Sequence, residues 1–197
     1  INKVPVEVWK EHICHKFLNL TELSILRRCH TFFEKYWQNM MTQNVIRVPQ
    51  GCPTLEKAMA LAVIFSGRKE YTTDDPLKIR LEEGVHEIVG DQYRDSIYRD
   101  TDGCMNVTCS HITFVGKGKN HTTIHGGFIV TNQQNIQFEG LTISTFSNSS
   151  SLRLGGRETK VEMLKCCIKE SKCGMSVFSG ATVTATQCEF MENFGSG

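Results

Sequence analysis

The chain has 197 residues and a mass of 22.3 kDa; 40% of it is hydrophobic, 22% is charged, and the formal net charge is +1. That composition suits one ordinary globular domain, or one plus a small appendage, and excludes a disordered segment. Balanced charge argues against a nucleic-acid binder acting through a dense basic face, and no apolar run approaches the roughly 20 residues of a membrane span.

Residues 1–44 have a helical texture. Val8, Trp9, His12, Ile13, Lys16 and Phe17 recur at helical spacing, with Pro5 placed where a first turn tolerates it. Thr21 is the expected N-cap of a second helix, Glu22 suits the positive end of its dipole, and Leu23, Ile25, Leu26, Cys29, Phe32, Phe33, Tyr36 and Trp37 supply its apolar set. A helical pair this short cannot bury a core of its own, so it must pack on another chain or on the remainder of this one. The phrases Val4-Pro5-Val6-Glu7-Val8-Trp9, Phe17-Leu18, Glu22-Leu23, Leu26-Arg27-Arg28-Cys29 and Phe32-Phe33 resemble an F-box over about forty positions, with His15-Lys16 where a more apolar pair is usual. The resemblance implies docking onto a Skp-type adaptor of cullin ubiquitin ligases, with Pro5, Leu18, Leu23 and Leu26 in the docking surface. His12, Cys14, His15, Cys29 and His30 have the atom types of a zinc site, but on helices they diverge, and a polar stripe is the better reading.

From residue 45 the pattern turns to short β-rich runs. Val45-Ile46-Arg47-Val48 alternates and stops at the turn Pro49-Gln50-Gly51. Thr54 caps a helical run with Leu55, Ala58, Met59, Ala62, Val63 and Phe65 on its apolar face. Asp74-Asp75-Pro76 turns the chain into the strands Lys78–Leu81 and Val85–Ile88. Residues 90–107, with two Tyr-Arg-Asp copies, read as a polar surface insertion.

The C-terminal part repeats itself. Ile136, Phe138, Leu141 and Ile143 stand at offsets 0, 2, 5 and 7, matched by Val161, Met163, Cys166 and Ile168, and again by Val183, Ala185, Cys188 and Phe190; the anchors lie 25 and 22 residues apart. The doublets Phe128/Val130, Leu152/Leu154 and Met175/Val177 precede the three phrases. Steps of two mean strand, and steps of three mean a turn between strands. Helical repeats would need steps of three and four throughout, and leucine-rich repeats their own phrase; neither is present. Three short strands per turn, each stacked on its equivalent, predict a parallel β-helix whose interior ladders run Leu141–Cys166–Cys188 and Ile143–Ile168–Phe190.

The upstream phrases His111–Gly118, Thr122–Gly127, Pro49-Gln50-Gly51-Cys52, Thr54–Ala58 and Leu81–Glu87 resemble the opening turns of the pectin-lyase-like superfamily. That resemblance covers about residues 45–197 and implies a right-handed coil with its open end plugged by a helix, which would protect unpaired backbone there. The expected fold is thus mainly β: a right-handed parallel β-helix over 45–197 with an N-terminal cap helix, preceded by a small α-helical F-box-like head over 1–44. The start at Ile1 and the close at Gly195-Ser196-Gly197 read as those of a fragment cut mid-coil, leaving room for a leader upstream.

The nine cysteines are odd in number, scattered, and without paired C-x-x-C spacing. Free thiols packed as small hydrophobes fit better, pointing to a reducing, cytoplasmic or nuclear compartment. The N-x-Ser/Thr triplets at Asn19, Asn106, Asn120 and Asn148 pull toward secretion. Enzymes of this fold need clustered carboxylates on one outer face, but the outward positions of the three phrases hold Gln137 and Glu139, then Glu162 and Leu164, then Thr184 and Thr186, and no Asp follows Asp102. No catalytic residue is therefore assigned, nor any metal or cofactor. The phosphate-loop-like Gly116-x-Gly118-Lys119 lacks its Ser/Thr, and His111, His121 and His125 read as turn residues. Gln137, Glu139, Arg153, Glu162, Thr184 and Thr186 are the candidate binding face, for a protein or glycan ligand. The expectation is a non-enzymatic recognition module; the alternative is a polysaccharide-acting enzyme whose catalytic residues lie in further turns.

Overall fold

The computed structural model describes residues 42–89, 103–145 and 150–195. The helical head falls outside them except at its C-terminal edge, and with it Pro5, Leu18, Leu23, Leu26 and the His/Cys group of residues 12–30. What is described is mainly β, built from three sheets whose strands all pair in parallel.

The largest sheet holds β1 (Val45–Val48), β2 (Leu77–Leu81), β5 (Ile112–Val115), β8 (Ile136–Glu139), β11 (Lys160–Leu164) and β14 (Thr182–Thr186), in that order. A second holds β3 (Gly84–Glu87), β6 (Thr122–His125), β9 (Thr142–Ser144), β12 (Cys167–Lys169) and β15 (Glu189–Met191), and a third β4 (Cys104–Val107), β7 (Gly127–Thr131), β10 (Ser150–Gly155) and β13 (Cys173–Phe178). From β2 onward the chain visits the three sheets in rotation, so each strand pairs with the strand one circuit away, as in a parallel β-helix-like fold.

Register turns the sequence repeat into interior columns. Ile46, Ile79, Phe114, Phe138, Met163 and Ala185 are successive partners across the large sheet, the first five buried and Ala185, on the last strand, exposed. Phe114 and Phe138 stack with centroids 5.1 Å apart, and Phe128 of the third sheet lies tilted against both at 5.2 and 4.9 Å. Such aromatic clusters add to the gain from burial alone. The expected ladder Ile143–Ile168–Phe190 is in register, with Ile143 and Ile168 wholly buried but Phe190, on the last strand described, exposed. Leu141 and Cys166 are wholly buried, and Cys188 packs against the same core.

The corners explain the step of three. Between the first and second sheets a single left-handed residue turns the chain: Gly140 (φ 60°), Lys165 (φ 53°) and Gln187 (φ 55°), followed in turn by Leu141, Cys166 and Cys188. Two of these three are not glycine, so the corner costs about 1 kcal/mol or more at Lys165 and Gln187, a strain that neighbouring turns hold in place. Backbone closeness matters at Gly116, where a Cβ would stand 2.4 Å from the Gly140 carbonyl oxygen.

Helix α1 (Leu55–Ser66) begins at Thr54, whose hydroxyl accepts from Lys57 N–H at 3.3 Å, and it contacts β1. Its buried side chains are Leu55, Ala58, Met59, Leu61, Ala62 and Phe65; Val63, expected on the apolar face, is exposed. At 100° per residue the buried arc is centred near Ala62 and Phe65, and Val63 lies past its edge while Leu61 falls within it. Glu56 accepts from Val89 N–H at 2.8 Å, fastening the helix to the chain leaving β3.

The expected insertion is also corrected. Cys104–Val107 is not part of a polar insertion but the strand β4, with Cys104, Met105 and Val107 buried and paired in register with β7; residues 90–102 lie outside the described residues.

Candidate recognition face

Alternation along each strand of the large sheet sends every second side chain outward, and parallel register stacks these into columns. One column reads Val45, Lys78, Thr113, Gln137, Glu162 and Thr184; the next reads Arg47, Arg80, Val115, Glu139, Leu164 and Thr186. Five of the six residues singled out by sequence therefore share one face: Gln137, Glu139, Glu162, Thr184 and Thr186.

The sixth does not. Arg153 lies on the outer side of the third sheet, between Ile129 and Ser176. There its guanidinium stands 5.6 Å from the Phe178 ring centroid, and that ring covers Gly155, where a Cβ would meet it at 2.4 Å. The sequence order around the coil sets this separation: Arg153 sits beside the Leu152/Leu154 doublet, which belongs to a different sheet from the quartet phrases.

The first column is a hydrogen-bonded relay. Thr113 Oγ1 donates to Gln137 Oε1 at 3.2 Å, and Gln137 Nε2 donates to Glu162 Oε2 at 3.1 Å. An amide accepts through its oxygen while donating through its nitrogen, so Gln137 fixes the orientation of both neighbours. Thr113 is buried and was missed by sequence reasoning, as were Lys78, Arg47 and Arg80 at the other end of the face. The alternation of 45–48 and 78–81 carried the signal; extending the later repeat back to those strands would have placed them.

Glu139 and Glu162 fall in different columns, so no carboxylate is the in-register partner of another on this face. Among the described residues no three His, Cys, Asp or Glu side chains converge as a metal-binding group. The three histidines are separate: His111 Nδ1 contacts Asn135 Nδ2 at 3.0 Å, His121 stands 3.4 Å from Glu83, and His125 lies in β6. Gly116–Lys119 forms a turn in which Gly118 N–H donates to Gly140 and Lys119 pairs through Nζ with Glu189.

On the second sheet, Ser144 Oγ donates to Glu170 Oε2 at 3.0 Å and Lys169 Nζ approaches the other oxygen at 3.1 Å. The Lys169 ammonium, then the Ser144 hydroxyl, hold the Glu170 carboxyl below the usual carboxylate range. At the edge of the large sheet, Lys69 joins Asn44 at 2.6 Å and Asp75 at 3.0 Å, and Asn44 also bonds Asp75; the hydrogen bond from Lys69 holds the Asp75 carboxyl below its ordinary value.

The seven described cysteines are free thiols. Burial pushes the Cys52 thiol up to about 12 and those of Cys109 and Cys166 up to about 11, the opposite of what a nucleophile needs. Cys166 acts as a small hydrophobe whose Sγ lies 3.3 Å from the Phe138 carbonyl.

No helix among the described residues is long and apolar enough to cross a membrane. Comparison with protein families, with curated proteins and with solved structures returned no match to this chain.

Proposed function

We propose that this chain is a non-enzymatic recognition module, an F-box-like adaptor whose coil presents a ligand-binding face and which serves as a substrate receptor of a ubiquitin ligase. In this reading the coil is a right-handed, pectin-lyase-like β-helix, α1 is the plug of its first turn, and the head over 1–44 docks a Skp-type adaptor through Pro5, Leu18, Leu23 and Leu26. The ligand is a protein or a glycan, and the compartment cytoplasmic or nuclear.

One observation carries the recognition part. The outer side of the large sheet carries mostly polar and charged side chains in two in-register columns, the first of them joined by the Thr113–Gln137–Glu162 relay. Long, regular solenoid faces suit the binding of extended partners. The absence of any in-register carboxylate pair on this face favours binding over acid–base chemistry. Docking of the head rests on the F-box resemblance alone.

The test of docking is titration of the chain against a Skp-type adaptor by interferometry. Saturable binding that Leu23→Asp and Leu26→Asp each weaken at least tenfold supports the reading. Absence of binding, or binding indifferent to both substitutions, removes it.

A further inference from the structure

The face has a charge pattern along the coil axis that sequence inspection by segment does not show. Arg47 and Arg80 are direct partners on β1 and β2, both exposed, with Lys78 in the adjacent column beside them. Like charges placed opposite one another on neighbouring strands repel. Among the described residues neither arginine has a carboxylate partner: the acidic groups in ion pairs are Asp75, Glu82, Glu83, Glu170 and Glu189, matched to Lys69, Lys117, His121, Lys169 and Lys119. Farther along the same columns come Glu139, exposed and without an ion pair among the described residues, and Glu162, held by Gln137. Val115 lies between the two charge signs, and Leu164, 37% exposed, follows Glu139.

A ligand complementary to this array must carry both signs. A polyanionic glycan would meet Glu139 and Glu162, and a neutral one would leave the arginine pair uncompensated. A polypeptide can present both. Adjacent strands are about 4.8 Å apart, so Arg80 to Glu139 is about 10 Å and Arg47 to Glu139 about 14 Å along the axis; an extended peptide covers that in about three to four residues. We propose that the outer face of the large sheet binds an extended peptide running across the strands, with acidic side chains on Arg47, Arg80 and Lys78 and basic ones, three to four positions along, on Glu139 and Glu162. This rests on the reading of that face as a recognition surface and commits it to protein, not glycan.

The experiment is fluorescence anisotropy at low salt with labelled twelve-residue peptides and oligosaccharides. Two peptides carry an acidic pair and a basic pair separated by three neutral residues, one in each order; two controls carry only acidic or only basic pairs; a sulfated and a neutral hexasaccharide complete the set. At least one mixed peptide is expected to bind at least tenfold tighter than either single-sign peptide. Arg47→Glu with Arg80→Glu, and separately Glu139→Lys with Glu162→Lys, should each weaken it about tenfold or more. Combining all four restores binding, because the peptide can reverse its direction. Thermal melts identify any variant that fails to fold, and the other pair is then read alone. Single-sign peptides or an oligosaccharide binding as tightly as the mixed peptides, or failure of the fourfold variant to regain binding while folded, overturns the peptide inference and leaves a recognition face. No binding by any probe overturns both for this face, independently of the adaptor titration.

Discussion

The inner and outer sides of the large sheet are made by the same strands, yet they follow different rules. The inner column, Ile46–Ile79–Phe114–Phe138–Met163–Ala185, stays apolar at every level, whereas its outer neighbour changes from arginine to valine, glutamate, leucine and threonine. Inside, each side chain must fill the space left by those above and below, and dense packing punishes any change of volume. Outside, water accepts nearly any side chain, so chemistry is free to vary from strand to strand. Fold therefore resides in the monotony of one side, while the irregularity of the other carries the proposed recognition.

Adjacent residues test this contrast most sharply. Phe138→Ala, removing a fully buried ring stacked on Phe114, should cost about 3–5 kcal/mol in urea unfolding. A loss below about 1 kcal/mol would break the comparison.

The interior thiols come next. With pKa values pushed up to about 12 for Cys52 and about 11 for Cys109 and Cys166, the thiolate fraction at pH 8.5 is roughly a thousandth of that in the unfolded chain at Cys52 and roughly a hundredth at Cys109 and Cys166. Iodoacetamide labelling, read by mass spectrometry, should slow by about 100-fold at Cys109 and Cys166 and by about 1000-fold at Cys52 in the native protein. The same shift gives stability a pH dependence. Below the ordinary thiol value of 9.0 both states are protonated and stability is intact; above it the unfolded chain ionises first, so stability falls as pH rises from 9 toward 11–12. A melting temperature that rises across that range would contradict the burial of these groups.

Gly116→Ala probes the corner rather than the column. Its Cβ would press on the Gly140 carbonyl, a backbone atom that cannot swing away, and a loss of about 1–3 kcal/mol is expected by thermal or urea melts. The smallest effect belongs to the outer side: Gln137→Ala, one residue from Phe138, should lose only about 0.5–1 kcal/mol while releasing Thr113 and Glu162 from their shared orientation. Equal costs at 137 and 138 would mean that the two sides are not distinct.

Much of this arrangement was legible in the amino-acid order because period-2 alternation and a near-constant circuit length are direct imprints of stacked strands. The quartets at 136–143, 161–168 and 183–190 placed the columns, and Thr54 placed the start of α1. What escaped had physical reasons. Met105 and Val107 stand 23 residues before Phe128 and Val130, the same doublet one circuit earlier, but the polar stretch before them masks a strand of four residues. Leu61 was overlooked because a helix packed on a broad surface buries a wide arc, not a narrow stripe. The site was legible as a set of outward positions but not as a shared face. Arg153 was grouped with Gln137 and Glu162 because sequence spacing does not reveal which of three sheets a strand joins, and Arg47 and Arg80 were passed over because each lies in a short strand far from the other in the chain.

The two-residue corners have a consequence for how such a chain can change. Between β8 and β9, β11 and β12, and β14 and β15, two residues suffice to pass from sheet to sheet, whereas the passages from the second sheet to the third range from Gly126 alone to the stretch between β3 and β4. The tight corners behave like the bases of a reading frame: a residue added or lost there would turn the following strand inside out. The longer passages absorb such events without a shift of phase. Additions to this architecture therefore fall mainly along the seam from the second sheet to the third, with the six residues between β5 and β6 as the one enlargement of the first seam among the described residues.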